Sequence, residues 1–275
     1  MIKIGTRGSQ LALVQTRTVA ARLAALGESA VMQIIKTTGD QVTGLPLSQV
    51  GGKGLFTKEL EEALLDRRID LAVHSLKDLP TELPAGLIIA AVPEREDPRD
   101  AIIGHKLAEL RHGAKVGTSS LRRAAQLRLA RPDLIIEDIR GNLDTRLRKL
   151  DEGLYDAIVL AAAGLRRLGW ADRIAEILDP AVMCPAAGQG ALALETRLEA
   201  PAVCATLTHA GTLTAVRAER AFLAAVGGGC HIPIGVYAQV HDGLIHLQAF
   251  HGTRKQAEGS DPEALGAELA RQFLS

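Results

Sequence analysis

Aromatic residues make up only 3% of this 275-residue chain, which removes the stacking platforms expected of a protein that holds single-stranded nucleic acid. Cysteine is also scarce. Cys184, Cys204 and Cys230 are odd in number and form no C-x-x-C pair, which argues against a disulfide framework and against a zinc site. The histidines show no ligand spacing that suggests a metal. No apolar run approaches the roughly 20 residues that a membrane helix needs. The opening Met1-Ile2-Lys3-Ile4-Gly5-Thr6 reads as a strand running into a turn and not as a signal or transit segment. Formal net charge is zero, so a global attraction to nucleic acid or to anionic membrane has no support. These absences predict a chain of a reducing cytoplasm, with no nucleic-acid, membrane or metal partner.

What is present is enough apolar material, 47% of the chain, to bury two or three domain cores. Strand-like runs at 2–5, 31–36, 70–74, 87–92, 115–117, 134–138 and 156–160 alternate with helical patterns, the signature of parallel α/β layers. Lys3-Ile4-Gly5-Thr6 and Lys115-Val116-Gly117-Thr118 form a faint repeat. Each closes a strand and leads through serine into a helix of period near 3.6, with Ser9 in one case and Ser119 or Ser120 in the other as the cap. Two related α/β domains are therefore expected, with helix starts that aim free N–H groups at a ligand. The charged, proline-bounded stretch 93–100 reads as a hinge, and a second crossing is expected near 183–190. From Ala210 the pattern changes to a helix, a glycine-rich turn, a hairpin over 234–240 and 243–250, and a closing helix over 262–274. This reads as a small α+β domain. The stretch 39–54, with five glycines, suggests a lid.

Two phosphate-binding resemblances fail on inspection. Gly51-Gly52-Lys53-Gly54 lacks the Walker pattern, since position 47 is Leu and position 54 is Gly, and Gly188-Gln189-Gly190 has no clear preceding strand. A nucleotide-dependent transferase is thereby disfavoured. Arginine is the informative excess. Of 32 basic residues 23 are arginine, and between Arg111 and Lys149 ten basic residues face four acids. A guanidinium fork matches carboxylate or phosphate, so a small polyanion is one reading of this enrichment and a solvated helix face is the other.

Several residues carry chemistry by type and position. Ser75-Leu76-Lys77-Asp78-Leu79-Pro80 sets a lysine and a carboxylate at the carboxyl edge of a parallel sheet, where such folds bind ligands. Asp78 is a candidate acid, base or cation stabiliser, or simply the acid of a proline-terminated turn. Gly117-Thr118-Ser119-Ser120-Leu121-Arg122-Arg123 places two arginines in a helix's first turn, where the helix dipole disfavours cations unless an anion is present. Arg140-Gly141-Asn142, Arg146 and Arg166-Arg167 follow further strand ends. Gly227-Gly228-Gly229-Cys230 exposes a thiol on a loop whose glycines allow close approach, although a buried inert cysteine fits equally.

Taken in order, Arg7-Gly8-Ser9-Gln10-Leu11-Ala12, Thr38-Gly39-Asp40, Gly51-Gly52-Lys53-Gly54-Leu55-Phe56, His74 to Pro80, Gly117 to Arg123, Arg140-Gly141-Asn142, Gly188-Gln189-Gly190 and Gly228 to Gly235 resemble the porphobilinogen deaminases. The resemblance spans nearly the whole chain. It implies two periplasmic-binding-protein-like α/β domains around a cleft, plus a small α+β C-terminal domain. The boundaries would be 1–93 with 189–206, 94–188, and 207–275. It implies a dipyrromethane cofactor held by a thioether to Cys230, porphobilinogen as substrate, linear hydroxymethylbilane as product, and a monomer. It gives Asp78 the central catalytic part, since a fixed carboxylate lowers the barrier to the cationic azafulvene formed when porphobilinogen loses ammonia. Lys77, Asp78, Thr118, Ser120, Arg122, Arg123, Arg146 and Gly190 would bind the cofactor. Arg7, Ser9, Arg140, Arg146, Arg167 and Lys53 would bind the substrate. The chain departs from the family at His231, where glutamine is frequent, and in its short ending. A noncatalytic two-domain binder of organic anions would share the fold and the arginines, and the state of Cys230 discriminates between the two.

Overall fold

The two strand–serine–helix repeats build the same opening in two separate sheets. A computed structural model describes residues 1–41, 55–199, 201–228 and 232–274. The chain begins with β1 (Ile2–Thr6), α1 (Gln10–Ala25), β2 (Ala30–Ile34), α2 (Thr38–Gln41), α3 (Lys58–Leu65), β3 (Leu71–Ser75) and β4 (Leu87–Ala91). It continues through β5 (Asp100–Ile103), β6 (Lys115–Gly117), α4 (Leu121–Ala130), β7 (Ile135–Glu137), α5 (Leu143–Asp151), β8 (Ala157–Ala161), α6 (Ala162–Arg167) and β9 (Ile174–Ile177). Then follow β10 (Leu192–Arg197), α7 (Ala202–Ala205), α8 (Ala210–Ala225), β11 (Ile234–His241), β12 (Leu244–His251), β13 (Thr253–Gly259) and α9 (Pro262–Leu274).

Two compact units result, Met1–Arg95 with Ala191–Leu213, and Glu96–Gly190 with Thr214–Ser275. The first holds a sheet of order β2-β1-β3-β10-β4. Its aliphatic faces are covered on one side by α1, through Val19 and Leu23, and on the other by α3, through Leu60, Ala63 and Leu64. The second holds a sheet of order β7-β6-β8-β5-β9, also packed on both faces, and the antiparallel sheet β11-β12-β13. That small sheet has its own core around Phe222, Val236, Leu247 and Leu269. Each such fully buried side chain contributes about 1.5–3 kcal/mol relative to exposure.

The sheets are mixed and not purely parallel. β2-β1-β3 and β7-β6-β8 are parallel, whereas β10 runs antiparallel to β3 and β4, and β5 antiparallel to β8 and β9. The antiparallel strand in each case is the first in sequence after the chain passes over from the other unit. It needs no helical crossover and so left no βα alternation in the sequence. The hairpin and the closing helix stand where the pattern predicted them, and β5, β9, β10 and β13 are additions. Among the described residues no helix is long and apolar enough to cross a membrane.

Candidate active site

In the first unit the carboxyl ends of β1 and β3 lie side by side, because the two strands pair in parallel with Gly5 opposite Ala72. Arg7 and Ser9 follow β1. Ser9 caps α1 by accepting the Ala12 amide at 3.3 Å, and the Arg7 guanidinium stands 4.1 Å from the centre of the Phe56 ring. β3 runs into a single helical turn, Leu76–Asp78, whose geometry is held by buried Leu76. The Leu76 amide donates to the Ala191 carbonyl at 3.0 Å, and the Leu79 amide closes the turn on the Leu76 carbonyl at 3.1 Å. Gln15, buried on α1, donates to the Ser75 hydroxyl at 2.9 Å. The turn is thus anchored on its inner side, while Lys77 is half-buried and Asp78 is exposed. Arg7, Ser9, Lys77 and Asp78 share one edge of this sheet, as the strand-end rule predicts.

The corresponding edge of the second unit gathers the arginines. Ser120 caps α4, accepting the Arg123 amide at 3.4 Å, while Ser119 serves a different purpose, donating to the Ile139 carbonyl at 2.7 Å and accepting its amide at 3.1 Å. Thr118 is buried, and its hydroxyl accepts the Ser120 amide at 3.2 Å. The anion that the helix start seemed to require is present inside the protein. Asp100, at the start of β5 and fully buried, receives Arg122 Nη1 at 2.6 Å and Arg123 Nε at 2.9 Å. Arg122 also donates to the Cys184 carbonyl at 2.7 Å, and Arg123 to the Val159 carbonyl at 3.0 Å. Burial opposes ionisation of Asp100, but the charges of Arg122 and Arg123, with hydrogen bonds from Arg122 and Gln189, hold its carboxyl well below the usual range. Gln189 completes the clamp, donating to Asp100 at 3.0 Å and to the Pro98 carbonyl at 2.7 Å.

The roles of Asp100 and Gln189 have no local sequence signal. The charges of 93–99 mask the apolar run Ala101-Ile102-Ile103 that follows Asp100 and marks a strand, and Gln189 reads only as part of a glycine motif. Gly190 lies beside them with a positive φ of 87°, its carbonyl accepting Arg167 Nη2 at 2.7 Å and the Glu96 amide at 3.2 Å. Cys230 and Lys53, with the greater part of the expected lid, lie outside the described residues.

Arg146 differs from the clamped pair. On α5, it donates Nε to the Gly141 carbonyl at 2.8 Å. Burial first, and then the charges of Arg123 and Arg140, push its guanidinium down to about 10, so the groups acting on it disfavour its own charge. Arg123 is already held by Asp100, so of the cations acting on one another here it is Arg146, with Arg140, that suits a carboxylate-bearing ligand. Cys184 and Cys204 are buried, and burial pushes the Cys184 thiol up to about 12, so neither offers a thiolate near neutrality.

Two family models match the chain. The model described as porphobilinogen deaminase, dipyromethane cofactor binding domain, covers residues 2–205, and the porphobilinogen deaminase C-terminal domain covers residues 213–275. The porphobilinogen deaminase of Syntrophobacter fumaroxidans is 53% identical over 255 residues, covering 90% of this chain and 82% of that protein. That of Roseiflexus castenholzii is 48% identical over 289 residues, covering 99% and 95%. The structure of the methionine binding protein MetQ matches with a TM-score of 0.47 and 14% identity over 75% of this chain and 88% of that one. With two consecutive domain models matched and about half of the aligned positions shared with relatives covered over 82% and 95% of their length, the chain belongs to the porphobilinogen deaminase family.

Proposed function

We propose that this chain condenses four porphobilinogen molecules, with release of ammonia, into linear hydroxymethylbilane in tetrapyrrole biosynthesis, on a dipyrromethane bonded through a thioether to Cys230. When bound, the dipyrromethane supplies the nucleophilic pyrrole α-carbon from which the product grows. Asp78 stabilises the positive charge that develops on a pyrrole nitrogen as ammonia leaves, and takes up the α-proton after coupling. Its exposure at the end of an anchored turn suits a carboxylate that must meet successive rings. Arg146, with Arg140, receives ring carboxylates, and Thr118, Ser120, Lys77 and Gly190 position the primer. Arg7, Ser9, Arg167 and Lys53 receive incoming substrate. Arg122 and Arg123 act at the primer mainly by fixing Asp100 and the helix start. We assign three domains, 1–93 with 189–206, 94–188 and 207–275. The separate core around Phe222 supports the last of them. We further assign a monomer in the cytoplasm, without a nucleic-acid partner.

The observation that carries this reading is the edge at the ends of β1 and β3, where Arg7, Ser9, Lys77 and Asp78 come together on an anchored turn, in a chain matched by the dipyromethane cofactor binding domain. Intact-mass spectrometry of purified active protein tests it. The expected result is a mass above that of the sequence by one dipyrromethane, lost in Cys230→Ser. An unmodified mass in active material overturns the proposal, and an unmodified, inactive protein that binds organic anions supports the noncatalytic binder.

A further inference from the structure

Behind the Lys77–Asp78 turn, on the inner face of the same strand, lies a second set of ionisable groups. His74 on β3 and Glu195 on β10 project from the same face of the sheet, since His74 pairs with Ala193 and Ala72 with Glu195 across an antiparallel ladder. Their side chains are 3% and 0% exposed, and His74 Nε2 stands 3.0 Å from Glu195 Oε2. Over them packs α3, which carries buried Glu61. Both Glu195 oxygens and Glu61 Oε1 are buried without a hydrogen-bond partner among the described groups. Most side chains around them are aliphatic: Ile35, Leu60, Ala63, Leu64, Ile69 and Leu87.

Two carboxylates and one imidazole in such a space balance in charge only when at least one carboxyl keeps its proton, because an unpaired buried charge is costly. Burial, then the charges of Glu195 and Glu59, push Glu61 up, against a hydrogen bond from Thr57 and the charge of His74. The remaining charged groups near this face are few. Arg197, two residues along β10 from Glu195, donates to the Leu64 and Ile69 carbonyls at 2.6 and 2.7 Å and to Asp70, with its Nε buried and without a hydrogen-bond partner among the described groups, and Glu59 binds Thr38 at 2.5 Å. Among the described residues no three such side chains are placed to hold a metal ion.

We propose that Glu61, His74 and Glu195 form a buried cluster with Glu61 as its carboxylic acid, and that this cluster positions the turn bearing Lys77 and Asp78. β3 transmits the effect. His74 is its penultimate residue, Gln15 holds Ser75, and Ala191, four residues before Glu195, holds Leu76. These are positioning residues, and the inference rests on Asp78 as the catalytic carboxylate. Loss of the Glu61 proton as pH rises through its raised value leaves an extra negative charge between α3 and the sheet and loosens the support of the turn.

The experiment compares the holoenzyme with Glu61→Gln, a mimic of the protonated acid, by melting temperature and by kcat across pH. A group whose folded pKa is raised gives stability that is lost as pH rises through that value, so the wild type should lose stability as pH rises from the ordinary carboxylate range through the raised value and Glu61→Gln should lose less. Any fall of kcat with rising pH over that same range should be smaller or absent in Glu61→Gln. His74→Gln, or Glu195→Gln if the former does not fold, should lower kcat on the order of tenfold to a hundredfold with cofactor content by mass unchanged. Melting curves of wild type and Glu61→Gln that superimpose at every pH overturn the proton assignment. Shifted melting curves with an unshifted kcat profile overturn the positioning role. The melting readout does not involve Asp78, so failure of the Asp78 assignment, seen as full activity in Asp78→Glu, is distinguishable from either.

Discussion

At the scale of single residues, the arginine-rich helix start divides into clamped and receptive members. Arg122 and Arg123 meet a fully buried internal acid, whereas Arg146 meets other cations. Removing one partner from a buried ion triad strands the others. We therefore expect Asp100→Asn to cost about 3–5 kcal/mol in denaturant unfolding. A loss no larger than that of a surface substitution would show that the clamp does not stabilise the fold. Because the Asp100 pKa is depressed, its contribution is present above the ordinary carboxylate range, declines as pH falls below that range, and is fully lost only below the folded value. Asp78→Glu moves its charge by one methylene without touching the anchors of the turn. It should slow turnover by about a hundredfold or more with cofactor retained, as single-turnover kinetics and intact mass would reveal. Wild-type rates in that variant exclude the catalytic assignment.

At the scale of elements, caps and close approaches fix where the strand ends point. Ser120 caps α4, and its replacement by alanine should cost about 0.5–2 kcal/mol and weaken anion binding at the helix start. Ser119, next in sequence, ties α4's approach to the Ile139 backbone instead, a division of labour that no sequence pattern distinguishes. Gly190 is a sharper case. Its positive φ and its approach to the Glu96 carbonyl leave no room for a Cβ. Gly190→Ala should disturb the carbonyl that receives Arg167 and destabilise the crossing segment, which calorimetry and amide exchange at residues 96–100 would register. Protection equal to wild type would argue against a structural need for glycine there.

At the scale of the whole molecule, the thiols report on the chemistry. Cys184 and Cys204 are buried, with thiols shifted upward, and should not react with a thiol reagent in the folded protein. After denaturation two of the three cysteines should titrate, the third being engaged in the thioether. Three reactive thiols in protein shown to be active would overturn the covalent assignment. The two compact units and the separate core around Phe222 also predict that limited unfolding proceeds by bodies rather than residue by residue.

Much of this was legible in the chain of residues alone. The strand–serine–helix repeats, the hairpin over 234–251, the closing helix and the strand-end placement of Asp78 follow from local periodicity and capping chemistry, which depend on near neighbours. The family is likewise written in the order of short motifs. What only the tertiary structure decided involves partners far apart in sequence. The antiparallel strands β5 and β10 pair with strands far away in sequence, so their pairing has no local signature. Asp100 reads as one charge of a hinge until folding brings Arg122, Arg123 and Gln189 to it, and His74 reads as an ordinary strand histidine until α3 and β10 bring Glu61 and Glu195 into the same dry space. Charge balance in a low-dielectric interior is a property of that assembled space, and no single segment carries it.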